Sequence, residues 1–380
     1  MADADIIAVE TKAHIRAFLN FPYELYKDDP QWRAPLRFER AAQITPEKNP
    51  VLHAITDQKF LAMRGDKCVG RIAAFINHSH QEQHKDGAGH FGFLDFENNP
   101  ETGRALLTAA QDWLMAKGAK KILGPNQWSV NEETGLLVDG FDTPPVVLMP
   151  FGQPYYQKIV EDFGFEKATD MYAFQNNLHE GFPRPKTTQM MRRLAIKDKG
   201  IKLRPVNKSK FKEEIAIAMS IFNDAWSENW GFVPFTDDQI DHMAKEMKPL
   251  VDKDLFQFGE IDGEVMTFGV IIPDINSAAH GLNGKLFPFG ILKFLYRLKI
   301  KGVKQARLPL LGLRKKAHNS RRGLALTAHL CETLFENARD KGFTQLELSW
   351  ILEDNASMIR ICEQASSVKY KTYRMYEKQL

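Results

Sequence analysis

Cysteine is scarce in this sequence, and the cysteines that are present show no pairing pattern. There are three, Cys68, Cys331 and Cys362, and long stretches of chain separate them. A disulfide framework needs an even number of cysteines, and a structural zinc site needs closely spaced pairs. We therefore expect neither, and we expect a protein of a reducing compartment such as the cytosol.

Long apolar runs are also absent. No stretch reaches the roughly 20 consecutive apolar residues that a membrane-spanning helix requires. The first residues, MADADIIAVE, carry acidic side chains where a secretory signal would carry basic ones. These features predict a cytoplasmic protein, either soluble or peripheral on the inner face of the cytoplasmic membrane.

A strong net charge is the third absence. The formal net charge is +3 and charged residues make up 26% of the chain, which excludes a disordered polyelectrolyte and a general polyanion-binding surface. One segment departs from this balance. From Lys285 to Arg322 the sequence carries many Lys and Arg residues and no Asp or Glu.

The pattern of apolar residues predicts a mixed α/β fold. In the first half two β-rich runs flank a turn at residues 64–67, a third run ends at Phe96, and a helical pattern begins at Pro100. The second half repeats this order around a turn at residues 261–264, with ARLPLLGL as its third strand. The repetition suggests a duplication.

A domain boundary is expected where prolines and a glycine interrupt this pattern, in the segment from Glu180 to Thr188. We predict an N-terminal domain at residues 1–180, a linker at 181–200 and a C-terminal domain at 201–380.

A basic loop leads from a predicted strand into a predicted helix. The sequence RKKAHNSRRGLA follows ARLPLLGL, and Gly323 would let a ligand approach the backbone closely. Unpaired N–H groups at a helix start, together with the helix dipole, bind phosphate or pyrophosphate. The alternative is an ordinary solvated face, and the motif alone does not decide between the two.

The strand order and this loop together resemble the GNAT superfamily of acyl-coenzyme A N-acyltransferases. That family has a Q/R-x-x-G-x-G/A loop after its fourth strand, which SRRGLA, residues 320–325, matches at Gly323 and Ala325 but not at Ser320. The resemblance implies tandem GNAT-like domains, each with a central mixed, mostly antiparallel sheet flanked by helices. It also implies acyl-coenzyme A as a co-substrate.

The resemblance further implies a single coenzyme A site in the C-terminal half. The loop amides would hold the pyrophosphate, the cations before them would meet the 3′-phosphate, and a backbone N–H near Leu311 or Gly312 would face the thioester oxygen. The residues implied are Leu311, Gly312, Leu313, Arg314, Lys315, Lys316, Ser320, Arg321, Arg322, Gly323, Leu324 and Asn355.

Asn355 begins a segment similar to the family's N-x-x-A-x-x-x-Y helix. Cys362 stands where the family has its general-acid tyrosine. The thiol could protonate the departing thiolate, or it could be a small buried apolar side chain. Proton transfer by solvent, Tyr370 or Tyr373 is equally open.

Three longer segments extend the resemblance over nearly the whole chain. They are Gly124 to Tyr156, Phe222 to Thr236, and ELSWILEDN with the C-terminal YRMYEK. Together they resemble a bacterial group of double-GNAT proteins that includes the bacterial ceramide synthases, which acylate a long-chain sphingoid amine. The resemblance therefore implies a long-chain acyl donor and a lipid amine acceptor.

The N-terminal half lacks a basic phosphate loop. Its equivalent, ENNPETGRA, keeps Gly103 and Ala105 but carries Glu97 and Glu101, which repel a pyrophosphate. We expect this half to bind no coenzyme A and to supply acceptor-binding residues instead.

An amine nucleophile must be neutral when it attacks, so a base or a water chain has to take its proton. The candidates are Glu97 and Asp95 at the end of the third predicted strand, the histidines His78, His80 and His84, and Glu132 beside Asn131. The alternative for the histidines is a solvated loop, and for Asn131 and Glu132 it is a structural turn. The histidine spacing suits two metal ligands on a helix, but no third ligand accompanies them, so no metal is expected.

Substrate contacts are expected at Asn131 in the first half and at Trp226, Asn229, Trp230 and Phe232 in the second. The aromatic residues could line a tunnel for an acyl or lipid chain. The alternative is that they belong to the hydrophobic core.

Residues 289–301 combine a stripe of cations with many Leu and Phe residues. A helix with this composition can lie in the headgroup layer of an anionic membrane. It can equally pack on the protein's own sheet with its lysines reaching water.

The sequence thus predicts an N-acyltransferase that uses a long-chain acyl-coenzyme A and a sphingoid base. Acylation of a small polar amine or an amino-acid derivative is the alternative enzyme activity, and non-catalytic acyl-coenzyme A binding is a further alternative. Nucleic acid is not expected as a partner, because the cations alternate with Leu and Phe rather than with exposed stacking aromatics.

Overall fold

The computed structural model describes residues 4–178, 185–248 and 251–380. The strands are β1 (Asp5–Ala8), β2 (Ile55–Arg64), β3 (Lys67–Asn77), β4 (Ala88–Phe96), β5 (Lys121–Gly124), β6 (Asn126–Gln127), β7 (Ser129–Thr134), β8 (Leu136–Asp139), β9 (Glu166–Asn177), β10 (Ile201–Pro205), β11 (Phe256–Ile261), β12 (Glu264–Pro273), β13 (Gln305–Leu313), β14 (Gln345–Leu352) and β15 (Val368–Gln379).

The α-helices are α1 (Lys12–Leu25), α2 (Arg37–Gln43), α3 (His78–His84), α4 (Pro100–Ala116), α5 (Pro154–Asp162), α6 (Lys186–Lys197), α7 (Phe211–Trp226), α8 (Asp237–Met247), α9 (Ile275–Ala279), α10 (Gly290–Leu295), α11 (Arg321–Asp340) and α12 (Ala356–Gln364). Short 3-10 helices lie at Pro50–Ala54, Lys208–Lys210, Lys253–Leu255 and Lys315–Ala317, and α10 continues into a π-helical turn at Tyr296–Lys301.

Two compact units make up the chain. The first comprises Met1–Met171, Ala279–Ile291 and Lys371–Leu380, and the second comprises Tyr172–Ala278 and Leu292–Tyr370. The C-terminal segment counts with the first unit because β15 hydrogen-bonds to β5 and β8 there. The predicted division into residues 1–180 and 201–380 gives each domain one continuous stretch of chain, whereas each compact unit here comprises more than one segment.

The expected linker is only partly described. Residues 180–184 lie outside the described ranges, whereas α6 occupies most of the remainder. Arg192 of α6 forms ion pairs with Glu332 and Glu336 of α11, at 2.7 and 2.6 Å. This part of the expected linker therefore packs as a helix of the second unit.

The sheet of the first unit runs in the order β1-β2-β3-β4-β5-β15, and β8 also pairs with β15. Its β4–β5 pair is parallel, because α4 carries the chain back between these strands, and the other pairs are antiparallel. Leu106, Ala110 and Leu114 of α4 bury against one face of the sheet. Phe18 of α1 packs with Trp128 in a second core.

The sheet of the second unit runs in the order β10-β11-β12-β13-β14. Only β13 and β14 are parallel among these strands, and α11 connects them. Leu330 and Leu334 of α11 pack in one core, while Ile215 and Met219 of α7 pack in another. The mixed α/β fold and the repeated order of hairpin, strand, helix and strand are thus confirmed.

Both predicted hairpins form. β2 and β3 pair around Gly65, and β11 and β12 pair around Asp262 and Gly263, all with the positive φ angles that such turns require. Within the described ranges, no helix has the length and hydropathy needed to span a membrane.

Gly92 of β4 tests how tightly the first unit is packed. An added Cβ would lie 1.7 Å from the carbonyl oxygen of Asn126 in β6, so backbone would have to move. We expect Gly92→Ala to lower the free energy of unfolding by about 2–3 kcal/mol in urea titrations.

Gly152→Ala is the matched control, since its Cβ would meet its nearest neighbour at an ordinary 3.6 Å. It should change the free energy of unfolding by no more than ~0.5 kcal/mol. Equal effects of the two substitutions would contradict the close approach of β4 and β6.

Candidate functional site

The parallel strands β13 and β14 pair over only part of their length. Pairing runs from Gln305 opposite Gln345 to Leu308 opposite Leu348 and goes no further in the described structure. β13 nevertheless continues to Leu313 along β12. The edge of β13 beyond Leu308 therefore offers main-chain groups to a ligand rather than to β14.

A β-bulge in β13 marks the point of divergence. Ile272 lies opposite Arg307 and Val270 lies opposite Leu310, so β13 holds one residue more than β12 here. The predicted oxyanion donors, Leu311 and Gly312, both follow the bulge. The structure thus places them on the stretch of β13 that β14 leaves uncovered.

α7 approaches β13 closely at Gly312. A Cβ on this glycine would lie 2.9 Å from the ring of Trp226 and 3.0 Å from that of Phe268. Trp226 is one of the predicted substrate-binding residues, and it packs 4.5 Å from Phe222 between ring centroids. The strand with the predicted oxyanion donors and the predicted aromatic wall are therefore neighbours.

The loop after β13 closes tightly on the start of α11. Ser320 caps the helix, since its Oγ accepts from the N–H of Gly323 at 2.9 Å and donates to the carbonyl of Ala317 at 3.0 Å. A Cβ on Gly323 would lie 2.0 Å from the same carbonyl oxygen. The serine that departs from the family's motif thus has a clear role as an N-cap.

The N–H groups of Arg321 and Arg322 precede the first hydrogen bond within α11. That bond runs from the N–H of Leu324 to the carbonyl of Ser320, and the cap takes the N–H of Gly323. The first N–H groups of a helix have no acceptor within the helix and attract anions. This helix start therefore suits a phosphate group.

Several cationic side chains of this loop already have partners. Arg322 forms ion pairs with Asp198 and Asp262 at 2.8 and 2.5 Å, and Lys316 pairs with Glu264. Both members of the Lys316 pair are more than half exposed, and exposed pairs exchange partners at little cost.

The neighbouring cations hold the loop to α7. Lys315 pairs with Glu228 at 2.6 Å, and its N–H donates to Asp224 at 2.8 Å. Arg314 donates to the carbonyl of Val265 and to the hydroxyl of Ser220. The structure thus gives these two side chains a positioning role within the loop.

A buried polar network lies beside the divergence of β13 and β14. Arg307 and Glu347 face each other in the register, and each is about 1% exposed. The hydroxyl of Ser349 donates to Glu347 at 2.6 Å and accepts from Nε of Arg307 at 3.0 Å. The hydroxyl of Tyr370 donates to the other oxygen of Glu347. A half-buried phenol is therefore connected to a fully buried carboxylate.

Sequence reasoning missed Arg307, Glu347 and Ser349. The signal was nevertheless present, because these polar residues stand at inward positions of the otherwise apolar strands ARLPLLGL and LELSWIL. A polar residue at such a position is buried at a cost unless it is paired.

Other predicted residues of the C-terminal half serve the helices and the core. Asn355 caps α12 by accepting from the N–H of Met358 at 3.1 Å. Cys362 is fully buried among apolar side chains, and burial raises the pKa of its thiol to about 12. A thiol with that pKa and no exposure suits core packing better than proton donation. Tyr373 lies elsewhere, fully buried on β15 in the first unit, opposite Leu137.

The predicted residues after α7 form a turn. The N–H of Asn229 donates to the carbonyl of Trp226, and the N–H of Phe232 donates to that of Asn229. Phe232 is buried and packs 5.9 Å from Phe222, whereas Trp230 is half-buried. Phe232 and Trp226 belong to the same core cluster as Phe222, and Trp226 also reaches β13 at Gly312.

Within the first unit, the corresponding space beside its parallel strands is closed. β4 and β5 pair in parallel from Ala88 to His90, and β6 then lies against β4 where Gly92 meets Asn126. The loop from β4 to α4 is short and acidic. Although burial opposes it, hydrogen bonds from Arg64 and Thr102 lower the pKa of Glu97. A carboxylate held in this way is a poor base, and its loop is a poor anion site.

Glu132 lies in a polar cluster on β7. Its carboxylate accepts from Gln43 at 3.3 Å, and the adjacent Glu133 accepts from Arg40. Burial, aided by the charge of Glu133, raises the pKa of Glu132 to about 7. Asn131 beside it donates its N–H to the hydroxyl of Ser129. Glu132 is therefore the predicted base whose ionisation changes near neutral pH.

The predicted histidines lie on α3, which is a helix and not a loop. Nε2 of His80 is 3.3 Å from both carboxylate oxygens of Asp86, and the ring stacks on His84 at 4.4 Å. Burial lowers the pKa of His80, although the charge of Asp86 opposes this shift. Among the described residues, no group of His, Cys, Asp or Glu side chains could hold a metal ion.

Comparison with known proteins gives two full-length relatives. The chain is 41% identical over 381 residues to the bacterial ceramide synthase of Caulobacter vibrioides (strain NA1000 / CB15N), covering 100% of this chain and 98% of that protein. It is 40% identical over 369 residues to the protein YghO of Escherichia coli (strain K12), covering 97% and 94%. No protein-family model matches the chain.

Solved structures with the same fold are far more distant in sequence. One is a tandem GNAT protein from the clavulanic acid biosynthesis pathway, with a TM-score of 0.60, 10% identity, and coverage of 99% of this chain and 98% of that one. Another is a GCN5-related N-acetyltransferase from Sphaerobacter thermophilus, with a TM-score of 0.56, 12% identity, and coverage of 98% and 95%. They establish the tandem GNAT fold.

Glu347 tests the buried network. In Glu347→Ala the guanidinium of Arg307 would stay buried without its carboxylate, so we expect a loss of about 3–5 kcal/mol in the free energy of unfolding. Chemical denaturation of the purified variant measures this.

Glu264→Ala is its control in the same unit, because it removes a carboxylate from the exposed pair with Lys316. It should cost no more than ~1 kcal/mol. Similar losses in the free energy of unfolding of the two variants would show that the contribution of the Arg307–Glu347 pair to stability does not depend on its burial.

Proposed function

The chain belongs to the family of the bacterial ceramide synthase and is an N-acyltransferase, and from this membership we propose that it transfers a long-chain acyl group from acyl-coenzyme A to the amine of a sphingoid base. The full-length identity of 41% carries the choice of acceptor.

The second unit is the proposed acyl-coenzyme A site. Its pyrophosphate would bind the N–H groups of Arg321 and Arg322, with Gly323 and Leu324 in the same turn. Lys316, whose ion pair is exposed, is free to exchange Glu264 for the 3′-phosphate. The arrangement supports this because the loop closes tightly at Gly323, leads directly into a helix start and carries an excess of positive charge.

The uncovered edge of β13 supports the rest of the assignment. The thioester would lie beside Leu311 and Gly312, where a main-chain N–H stabilises negative charge on the carbonyl oxygen as the amine adds to the carbonyl carbon. The intermediate then collapses, the amide forms, and the coenzyme A thiolate leaves and takes up a proton. Trp226, against Gly312, is proposed to contact the start of the acyl chain.

Glu132 is the proposed proton acceptor for the acceptor amine. Its pKa of about 7 leaves a large fraction ionised near neutral pH, so it can take a proton and release it again. Asn131 is assigned to acceptor binding beside it. The hydroxyl of Tyr370, donating to Glu347, is the second candidate, because it could take a proton from the amine while passing its own to Glu347.

The substrate assignment is tested with palmitoyl-coenzyme A and 3-ketosphinganine. We expect an amide product by mass spectrometry, together with release of free coenzyme A. Acetyl-coenzyme A with small polar amines is the comparison reaction. Turnover of that pair alone, or no amide with any chain length, would contradict the proposal.

The base assignment is tested by the pH dependence of kcat. With a base of pKa about 7, kcat should rise as pH increases through neutrality, because only the ionised carboxylate accepts a proton. Glu132→Gln should remove this rise and lower kcat about 100-fold.

Tyr370→Phe separates the two candidates, since it keeps the ring and removes the hydroxyl. A small effect of Tyr370→Phe beside a large effect of Glu132→Gln supports Glu132. The reverse result would make Glu132 a structural residue and Tyr370 the acceptor.

A further inference from the structure

Several large apolar side chains are exposed along one short segment. From Phe287 to Ile300 the exposed fractions are 80% for Phe287, 78% for Phe289, 68% for Leu292, 54% for Tyr296 and 76% for Ile300. Elsewhere the exposed apolar residues are scattered, such as Phe38 at 57%. A concentration of this kind marks an interaction surface rather than ordinary exposure.

The helix in this segment presents its apolar side to solvent. Phe294 is buried, and the partly buried Arg297 turns inward, donating to the carbonyl of Ala278 at 3.1 Å. Leu292, Tyr296 and Ile300 recur every four residues on the outer side. A helix packed on its own sheet would bury these residues and expose the arginine, so that interpretation of 289–301 does not fit.

The base of the segment is anchored. The N–H and Nε of Arg37 donate to the carbonyls of Gly284 and Asn283, each at 3.0 Å. A Cβ on Gly284 would lie 2.3 Å from the carbonyl oxygen of Pro35. The exposed phenylalanines at 287 and 289 therefore follow a fixed turn.

Cations surround the exposed apolar residues. Lys285, Lys293, Lys299, Lys301 and Lys304 are all exposed. No Asp or Glu occurs between Asp274 and Glu332. A partner for this surface must therefore offer negative charge around an apolar interior, which is the chemistry of an anionic lipid bilayer.

We propose that this segment docks the protein on an anionic bilayer, with Phe287, Phe289, Leu292, Tyr296 and Ile300 inserted among the headgroups and the lysines at the phosphates. The inference rests on the proposed function for its purpose, which is access to a lipid amine and a long acyl chain. Its physical basis, exposed apolar side chains among cations, is independent of the reaction.

The docking is tested by sedimentation with vesicles of phosphatidylethanolamine and phosphatidylglycerol, and with vesicles of phosphatidylcholine alone. The wild type should bind the anionic vesicles and release as salt increases. The double variant Phe287→Ser/Phe289→Ser should bind at least about tenfold more weakly. Lys299→Glu/Lys301→Glu should lose the preference for anionic vesicles.

Phe38→Ser is the matched control, because it removes an exposed phenylalanine outside the segment. It should bind as the wild type does. Unchanged binding of the Phe287/Phe289 variant would overturn the proposal. So would an absence of wild-type binding combined with self-association that this variant abolishes, since the surface would then join two copies of the chain.

Acyl transfer measured in two media separates docking from the reaction. With substrates in detergent micelles, Phe287→Ser/Phe289→Ser should keep wild-type activity, and with substrates in vesicles it should lose about tenfold. Equal loss in both media would show that the segment acts in catalysis or folding instead. Vesicle binding by a wild type that forms no amide would leave the docking intact and remove the proposed function.

Discussion

The divergence of two parallel strands is the constraint on which the candidate site depends. β13 and β14 pair only as far as Leu308 and Leu348, and a bulge then turns β13 along β12 alone. Main-chain groups of β13 beyond this point do not pair with β14, and the proposed thioester site lies there. The loop that follows reaches the start of α11 within a few residues, so the uncovered strand and the unpaired helix N–H groups lie in one region. The buried Arg307–Glu347 pair holds the strands together just before they part.

The same order of elements gives a different result in the first unit. There β6 follows β5 directly and lies against β4 at Gly92, which closes the space that the second unit keeps open. The loop before α4 is acidic, and Glu97 is occupied by Arg64. A repeated fold therefore does not repeat a site. Whether a unit can form the site depends on which side chains line the space between the strands and on the charge of the loop before the helix.

Much of the fold follows from local patterns. The turns at Gly65 and Gly263 and the helix from Pro100 could be predicted because turn geometry and helix starts depend on neighbouring residues. The candidate site was harder to predict from the sequence. The role of Ser320 as a helix cap could be expected from its residue type, whereas Arg307 and Glu347 form their pair across strands 40 residues apart in sequence. The sequence left the role of residues 289–301 open, because an amphipathic helix of this composition can lie on a membrane or pack on the protein's own sheet.

The sequence by itself determined the mixed α/β order, the cationic character from Lys285 to Arg322 and the difference in loop charge between the halves, since these depend on composition and short-range periodicity. Tertiary structure decided the rest. Burial raises the pKa of Glu132 to about 7, and the packing of β-strands and helices places Cys362 in the core. Packing turned the apolar side of the segment after Phe287 toward solvent. The reason is that exposure and electrostatic environment depend on residues brought together from distant parts of the chain, which no local pattern records.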